Sequence, residues 1–198
     1  MRARLLLCSL FLAPCAAAST AAAQGATTVI LVRHAEKDAT NPLARNPPLS
    51  REGQRRARDL AAALQGRRVN AILVTQFRRT RETAQPLAAR RGITPEETHM
   101  GSDSDSAAAE VAALIRARHR GQTVVVVGHS TTVPKIIALL GGPMLRPLCE
   151  NAHSHLYTLV IPRAGPVRFT HTHFGAADPP DDRECVDGHR PSRPAVRQ

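Results

Sequence analysis

Apolar residues along this chain fall into short continuous runs and into longer stretches with helical spacing, and the two alternate. Thr27 to Val32 is a short β-branched run. After a Pro-rich loop, Ser50 precedes Ala57, Leu60, Ala61 and Leu64, a spacing that predicts a helix capped by the serine. Ala71 to Val74 reads as a second strand, followed by a helix from about Thr80 to Arg91 that ends at Gly92, with Pro86 kinking it or splitting off its first turn. Thr94 to Ser106 is polar and reads as a loop. Helical spacing returns with Ala108, Val111, Ala112 and Ile115, and beyond Gly121 lies Thr123 to Val127, a nearly pure Val strand. A helix from about Thr132 to Leu140 stops at Gly141-Gly142. Continuous apolar strands are those of a parallel sheet covered on both faces. Strands alternating with helices predict right-handed crossovers and an α/β fold, a three-layer α/β/α sandwich with a mostly parallel central sheet.

The last part reads as a hairpin, His155 to Ile161 and Val167 to Phe174 around Arg163-Ala164-Gly165. Centring the turn on Ala164 sets Ile161 opposite Val167, Leu159 opposite Phe169, Tyr157 opposite His171 and His155 opposite His173. One face is then apolar near the turn and carries histidines at the far end. Residues 176–198 are rich in Pro, Asp and Arg and are expected to form a mobile tail.

The N-terminus changes the reading of the rest. Arg2 and Arg4 precede an apolar stretch from Leu5 to Ala18, and Ala21-Ala22-Ala23 offers small residues for cleavage, the pattern of an export signal over residues 1–23. The stretch is too short to span the roughly 30 Å hydrocarbon core of a bilayer, so stable membrane insertion is not expected. A lipid-modified Cys15 is the competing outcome, and Pro14 before it fits poorly. The expected location is periplasmic or secreted. Cys8 and Cys15 would leave with the signal, so Cys149 and Cys185 would be the pair of the mature chain, either bridged or both free.

Composition then bounds the partners. The 198 residues are 42% hydrophobic and 22% charged, which suits one soluble globular domain. Formal net charge is +11, and among 27 basic residues only Lys37 and Lys135 are lysine. The arginines are spread along the chain, which agrees with a compositional bias better than with a nucleic-acid tract. Without Trp, and with one Tyr and four Phe, the chain lacks stacking platforms for single-stranded nucleic acid.

Two strand ends carry candidate chemistry. The first strand ends in Arg33-His34 and the Val strand in Gly128-His129, and in a parallel sheet both histidines emerge at carboxyl edges, where open α/β folds bind ligands. Arg33 adds a planar fork suited to phosphate oxygens, and Arg78 or Arg79 follows the second strand. Backbone N–H groups at the start of the helix near Thr132 favour an anion as well.

Val32-Arg33-His34-Ala35-Glu36-Lys37 resembles the Arg-His-Gly or Arg-His-Ala signature of the histidine phosphatase superfamily, also called phosphoglycerate-mutase-like. Leu49-Ser50-Arg51-Glu52-Gly53-Gln54, the block from Thr75 to Ala84 and Val127-Gly128-His129-Ser130 are similar to its later motifs, in order. The likeness runs from about residue 27 to 174, within a domain of residues 24–175, and is greatest to small exported or phosphohistidine-type phosphatases of the first branch. It implies that His34 is the nucleophile and passes through phosphohistidine. It further implies that Arg33, Arg79 and His129 hold the nonbridging oxygens, Arg79 matching because it lies four residues before Thr83. Neither metal nor cofactor is implied, the cations standing where magnesium would. The substrate would be a small phosphorylated molecule or a phosphoprotein, and nucleic acid is not expected.

The departures concern the leaving group. Many members carry an acid between the second arginine and the second histidine; that stretch here offers Glu96, Glu97, Asp103 and Asp105, none in a distinctive motif. Glu36 could serve as acid, though a salt bridge to Lys37 or Arg33 is the simpler reading. Weak acid catalysis would favour acyl phosphates or phosphoramidates, and its complete loss would leave a phospholigand-binding protein of the same fold. His153, His155, His171 and His173 could form a surface metal site; the plainer reading is histidines at the wet end of a strand pair.

Overall fold

The computed structural model describes residues 25–179, so the export signal and most of the expected tail lie outside the described residues. In chain order the elements are β1 (Thr27–Arg33), α1 (Arg51–Ala63), β2 (Ala71–Thr75), α2 (Arg78–Arg91), β3 (Glu96–Thr98), α3 (Ser104–Arg118), β4 (Thr123–Gly128), α4 (Thr132–Leu139), β5 (His155–Ile161) and β6 (Arg168–His173). The sheet order is β3-β2-β4-β1-β5-β6. The first four of these strands run parallel to one another, while β5 is antiparallel to β1 and to β6.

Alternation within the strands assigns the two faces. Val29 and Leu31 of β1 join Val124 and Val126 of β4 against Val111, Ile115, Ile136 and Ile137 of α3 and α4. Ile30 and Val32 join Val125 and Val127 against Leu60, Leu64, Ala84 and Leu87 on the side of α1 and α2. Both faces are therefore dry, as the unbroken Val run demands, and the three-layer α/β/α sandwich expected from the sequence is what forms. No helix among the described residues is long and apolar enough to cross a membrane.

Local chemistry sets the boundaries. Ser50 accepts the Gly53 amide at 3.1 Å and starts α1 as its cap. Gly92 closes α2 at φ 63°, a left-handed conformation that glycine takes without a Cβ clash. Pro86 sits within α2, which starts at Arg78, two residues earlier than expected. The polar stretch read as a loop is partly ordered: Glu96–Thr98 pairs with β2 as an edge strand, and Asp103 caps α3 by accepting from Asp105 and Ser106. Two glutamates and a threonine carry no apolar alternation, so main-chain pairing alone marks this strand.

In the hairpin, His155 pairs with His173, Tyr157 with His171 and Leu159 with Phe169, in the expected register. Two of the described residues in the stretch read as a tail, Ala176 and Asp178, are bonded to the domain. Arg56 donates to the carbonyl of Ala176 at 2.8 Å, and Asp178 accepts from the amides of His153 and Ser154 at 2.9 Å each. Cys149 is disulfide-bonded, and Cys185 of the expected pair lies outside the described residues.

Candidate active site

Parallel pairing of β1 with β4 puts Arg33 beside Gly128, and the His34 amide donates to the Gly128 carbonyl at 2.9 Å. The residue after each strand end is a histidine, so the two imidazoles stand side by side at the carboxyl edge. Their ring centroids are 5.4 Å apart in an edge-to-face arrangement, and both side chains are buried.

Each ring has its tautomer set by a neighbour. His34 Nδ1 donates to the Ala35 carbonyl at 2.8 Å, which leaves Nε2 with a lone pair. Arg79 Nη2 approaches His129 Nδ1 at 3.4 Å, so that nitrogen accepts, and Nε2–H donates to Thr75 Oγ1 at 3.0 Å. The Thr75 hydroxyl passes its proton to Thr80 Oγ1 at 3.0 Å, which donates in turn to the carbonyls of Thr75 and Phe77. Burial pushes His34 down to about 2, with Arg33, His129 and Arg79 adding to the effect. Burial also pushes His129 down to about 3, with Arg79 and Arg33 contributing. Both rings are neutral at physiological pH.

The arginines are held differently. Arg33 is 2% exposed and gives Nη1 to the carbonyls of Cys149, Glu150 and Ala152, and Nη2 to Glu150 Oε2 at 2.9 Å. Its Nε is buried and has no hydrogen-bond partner among the described residues. Arg79, in the first turn of α2, lies half-buried over the Phe77 ring at 4.3 Å. Arg78, the other candidate, is exposed and pairs with Glu82 at 3.0 Å. Burial lowers the pKa of both Arg33 and Arg79, and for Arg79 the nearby Arg33 lowers it further. Two guanidinium groups and two neutral imidazoles thus form one electropositive edge of the sheet.

The structure separates the candidate acids from one another. Glu36 pairs with Arg56 at 2.7 Å, not with Lys37 or Arg33 as the sequence suggested, because Arg56 projects from the buried side of α1. Glu97 pairs with Arg81 at 2.9 Å, and Glu96 with Arg118 at 3.4 Å and His119 at 3.3 Å. Asp103 caps α3 and Asp105 pairs with Lys135 at 2.7 Å. Of the four C-terminal histidines, only His155, His171 and His173 come together. His153 turns the other way, its Nδ1 donating to the His34 carbonyl at 2.8 Å.

Three residues at or beside this edge escaped sequence reasoning, Arg56, Glu150 and Asp178, and a fourth, His153, was read there only as a candidate metal ligand. Glu150 links Arg33 to Lys37, each at 2.9 Å, from a loop without periodic pattern. Arg56 occupies a buried position of a helix, where a charge signals a partner; that was the available clue.

Fold and edge chemistry together define an α/β protein that gathers two unprotonated imidazoles and two guanidinium groups at one carboxyl edge of its sheet. Residues 29–100 match the family model of the histidine phosphatase superfamily (branch 1). The match takes in the first three of the four motifs and agrees with the resemblance that they carry. Similar solved structures include the protein histidine phosphatase SixA complexed with tungstate, at 19% identity and TM-score 0.58 over 74% of this chain and 96% of that one. Bacillus stearothermophilus YhfR is similar at 20% identity and TM-score 0.56, over 72% and 94% of the two chains. A mycobacterial glucosyl-3-phosphoglycerate phosphatase in complex with VO3 matches at 20% identity and TM-score 0.53, over 76% and 99%. At this identity the likeness is one of fold. No curated protein sequence matches the chain.

Proposed function

We propose that this chain is a metal-independent phosphatase that works through a phosphohistidine on His34. The observation that carries the reading is the bond from His34 Nδ1 to the Ala35 carbonyl in a ring kept neutral by burial. It holds the Nε2 lone pair ready for attack on phosphorus. The new P–N bond forms as the bond to the leaving group breaks. Water then attacks the phosphorus, inorganic phosphate departs, and His34 returns to its starting state. Arg79, and Arg33 through its unpartnered Nε, hold the nonbridging oxygens and stabilise charge as it shifts, and His129 joins them by taking up a proton on Nδ1 as the anion enters. That the similar folds include phosphatases complexed with tungstate and VO3 supports a tetrahedral oxyanion as ligand.

Glu36, Glu96 and Glu97 are each tied into an ion pair, and our reading assigns none of them as proton donor to the leaving group. The substrates that suit such a site have leaving groups that depart readily, as in phosphohistidine, other phosphoramidates and acyl phosphates. The same observation favours one further reading, a phospholigand-binding protein of this fold with little or no turnover.

Phosphate release from an aryl phosphate and from a phosphohistidine peptide separates the two. The enzyme gives steady-state release that His34→Ala abolishes. A quench in alkali, where the P–N bond survives, finds labelled phosphate on His34 of the native chain. Saturable binding without release would leave only the binding reading, and turnover retained in His34→Ala would remove the mechanism. We further propose export to the periplasm or exterior, on the strength of Arg2, Arg4 and the apolar stretch that follows. N-terminal sequencing of the mature protein is expected to begin after Ala23, and a blocked or unprocessed terminus would contradict it.

A further inference from the structure

Outside the phosphate site, β5 and β6 bring three more histidines to one place. Register sets His155 directly opposite His173, and His171 lies two residues back along β6 on the same face. The three ring centroids are pairwise 4.8 Å apart, and one ligand nitrogen from each lies within 4.8 Å of the others. None of these rings takes part in the phosphoryl chemistry set out above.

We propose that His155, His171 and His173 form a binding site for a divalent first-row transition metal, with zinc the ion that fits. Three imidazoles and one water complete a tetrahedral shell around zinc, with Zn–N of about 2.0–2.1 Å and ligand nitrogens roughly 3.3 Å apart. His155 Nδ1 and His171 Nε2 stand at 2.7 Å, already on the inner side of that spacing. Closing the widest pair calls for a shift of no more than ~1.5 Å, within reach of the χ1 and χ2 rotations of His171, which is half-buried, and His173, which is exposed.

His155 supplies the fixed corner. It is buried and lies parallel to the Tyr157 ring, while its other nitrogen, Nε2, faces Asp178 Oδ2 at 3.8 Å. A carboxylate behind a ligating imidazole orients the ring and raises its basicity. Asp178 is itself placed by the Ser154 hydroxyl at 2.7 Å and by the Ser154 amide at 2.9 Å. Bound metal replaces the proton shared between His155 and His171 and clamps β6 onto the start of β5. The donor chemistry, three neutral nitrogens with no thiolate, selects against calcium and magnesium.

The test uses the full untagged chain, stripped with a chelator, loaded with zinc alone and desalted before metal analysis. The expected result is about one zinc per chain, falling to less than about one-tenth in the double variant His171→Ala with His173→Ala. Zinc should also raise the thermal midpoint of the native chain and not that of the variant. Both altered positions lie on the solvent side, and a metal-free midpoint equal to that of the native chain confirms that the variant folds. Cobalt in place of zinc should give the visible absorption of a tetrahedral nitrogen site, absent in the variant. Failure of the native chain to retain zinc, or equal retention by the double variant, overturns the proposal. Neither result bears on phosphate release, so the two readings fail separately.

Discussion

The Thr83 hydroxyl accepts the amide of Ala35 at 2.9 Å and donates to the Arg79 carbonyl at 2.6 Å, joining the loop after His34 to the turn that carries Arg79. Thr83 has no exposed surface. Thr83→Val keeps its shape and removes both bonds, leaving the Ala35 amide unpaired in the interior. The expected cost is about 1–3 kcal/mol of stability. Because the same loop carries the carbonyl that fixes the His34 tautomer, phosphate release should fall as well, by up to about 100-fold. Denaturant titration and turnover check both, and an unchanged midpoint would show that this bond contributes nothing.

Arg33 and Arg79 should differ in what their loss does. Removing one charge-stabilising donor costs roughly 2.7–4 kcal/mol in the transition state, and Arg79→Ala is expected to show that loss with a normal thermal midpoint, since Arg79 is half-buried and bonds only weakly to His129. Arg33→Ala should lose activity and stability together. It strips partners from the carbonyls of Cys149, Glu150 and Ala152 in a loop whose cysteine is buried and disulfide-bonded. Equal midpoints for the two variants would contradict this division.

The same contrast shows what a sequence can carry. His34, His129, Arg33 and Arg79 were legible because each follows a strand or opens a helix, where apolar runs mark the element and topology fixes the edge. The hairpin register was legible from a three-residue turn and period-two alternation. Glu96–Thr98 was not, since an edge strand of three residues buries too little to leave a pattern. Glu150 and Asp178 were hidden for another reason: they reach the site from irregular segments, and such contacts have no periodicity. Glu36 was paired to the wrong cation because Arg56, 20 positions away, comes beside it only when α1 packs against the sheet.

Acid should destabilise this protein well before its carboxylates protonate. His34 is held down to about 2 and His129 to about 3, each chiefly by burial, and burial with Arg33 lowers His153 too. In the unfolded chain these rings titrate near 6.5, so below that pH the unfolded state binds more protons and stability falls as pH falls. Each deeply held ring contributes at most about 1.4 kcal/mol per pH unit. Glu36 and Asp178 are also lowered, through Arg56 and Ser154 respectively among other partners, but their stabilisation is present above the ordinary carboxylate range and is lost only at lower pH. Thermal midpoints should therefore be flat above about pH 7 and drop between pH 6.5 and 5. A midpoint constant over that interval would show that the rings are not buried in their neutral form.

Glu150 offers the sharpest choice between two roles at the candidate site. Its carboxylate bridges Arg33 and Lys37 and is 69% exposed, so it could be the missing proton donor or a stand-in anion that substrate must displace. Its pKa argues for the second role. Although partial burial works against the charge, hydrogen bonds from Lys37 and Arg33 and the attraction of both cations hold the carboxyl below its ordinary value. An acid that stays ionised cannot give a proton to a departing group. Glu150→Gln removes the competing charge and keeps the shape. The exposed pair is worth little, so inorganic phosphate should bind only about 2- to 5-fold more tightly, with kcat for a good leaving group unchanged. Inhibition by phosphate and turnover of an alkyl against an aryl phosphate measure the two effects. If Glu150→Gln selectively lost the alkyl substrate, the carboxyl would be the acid after all, and the preference for readily departing groups would have to be withdrawn.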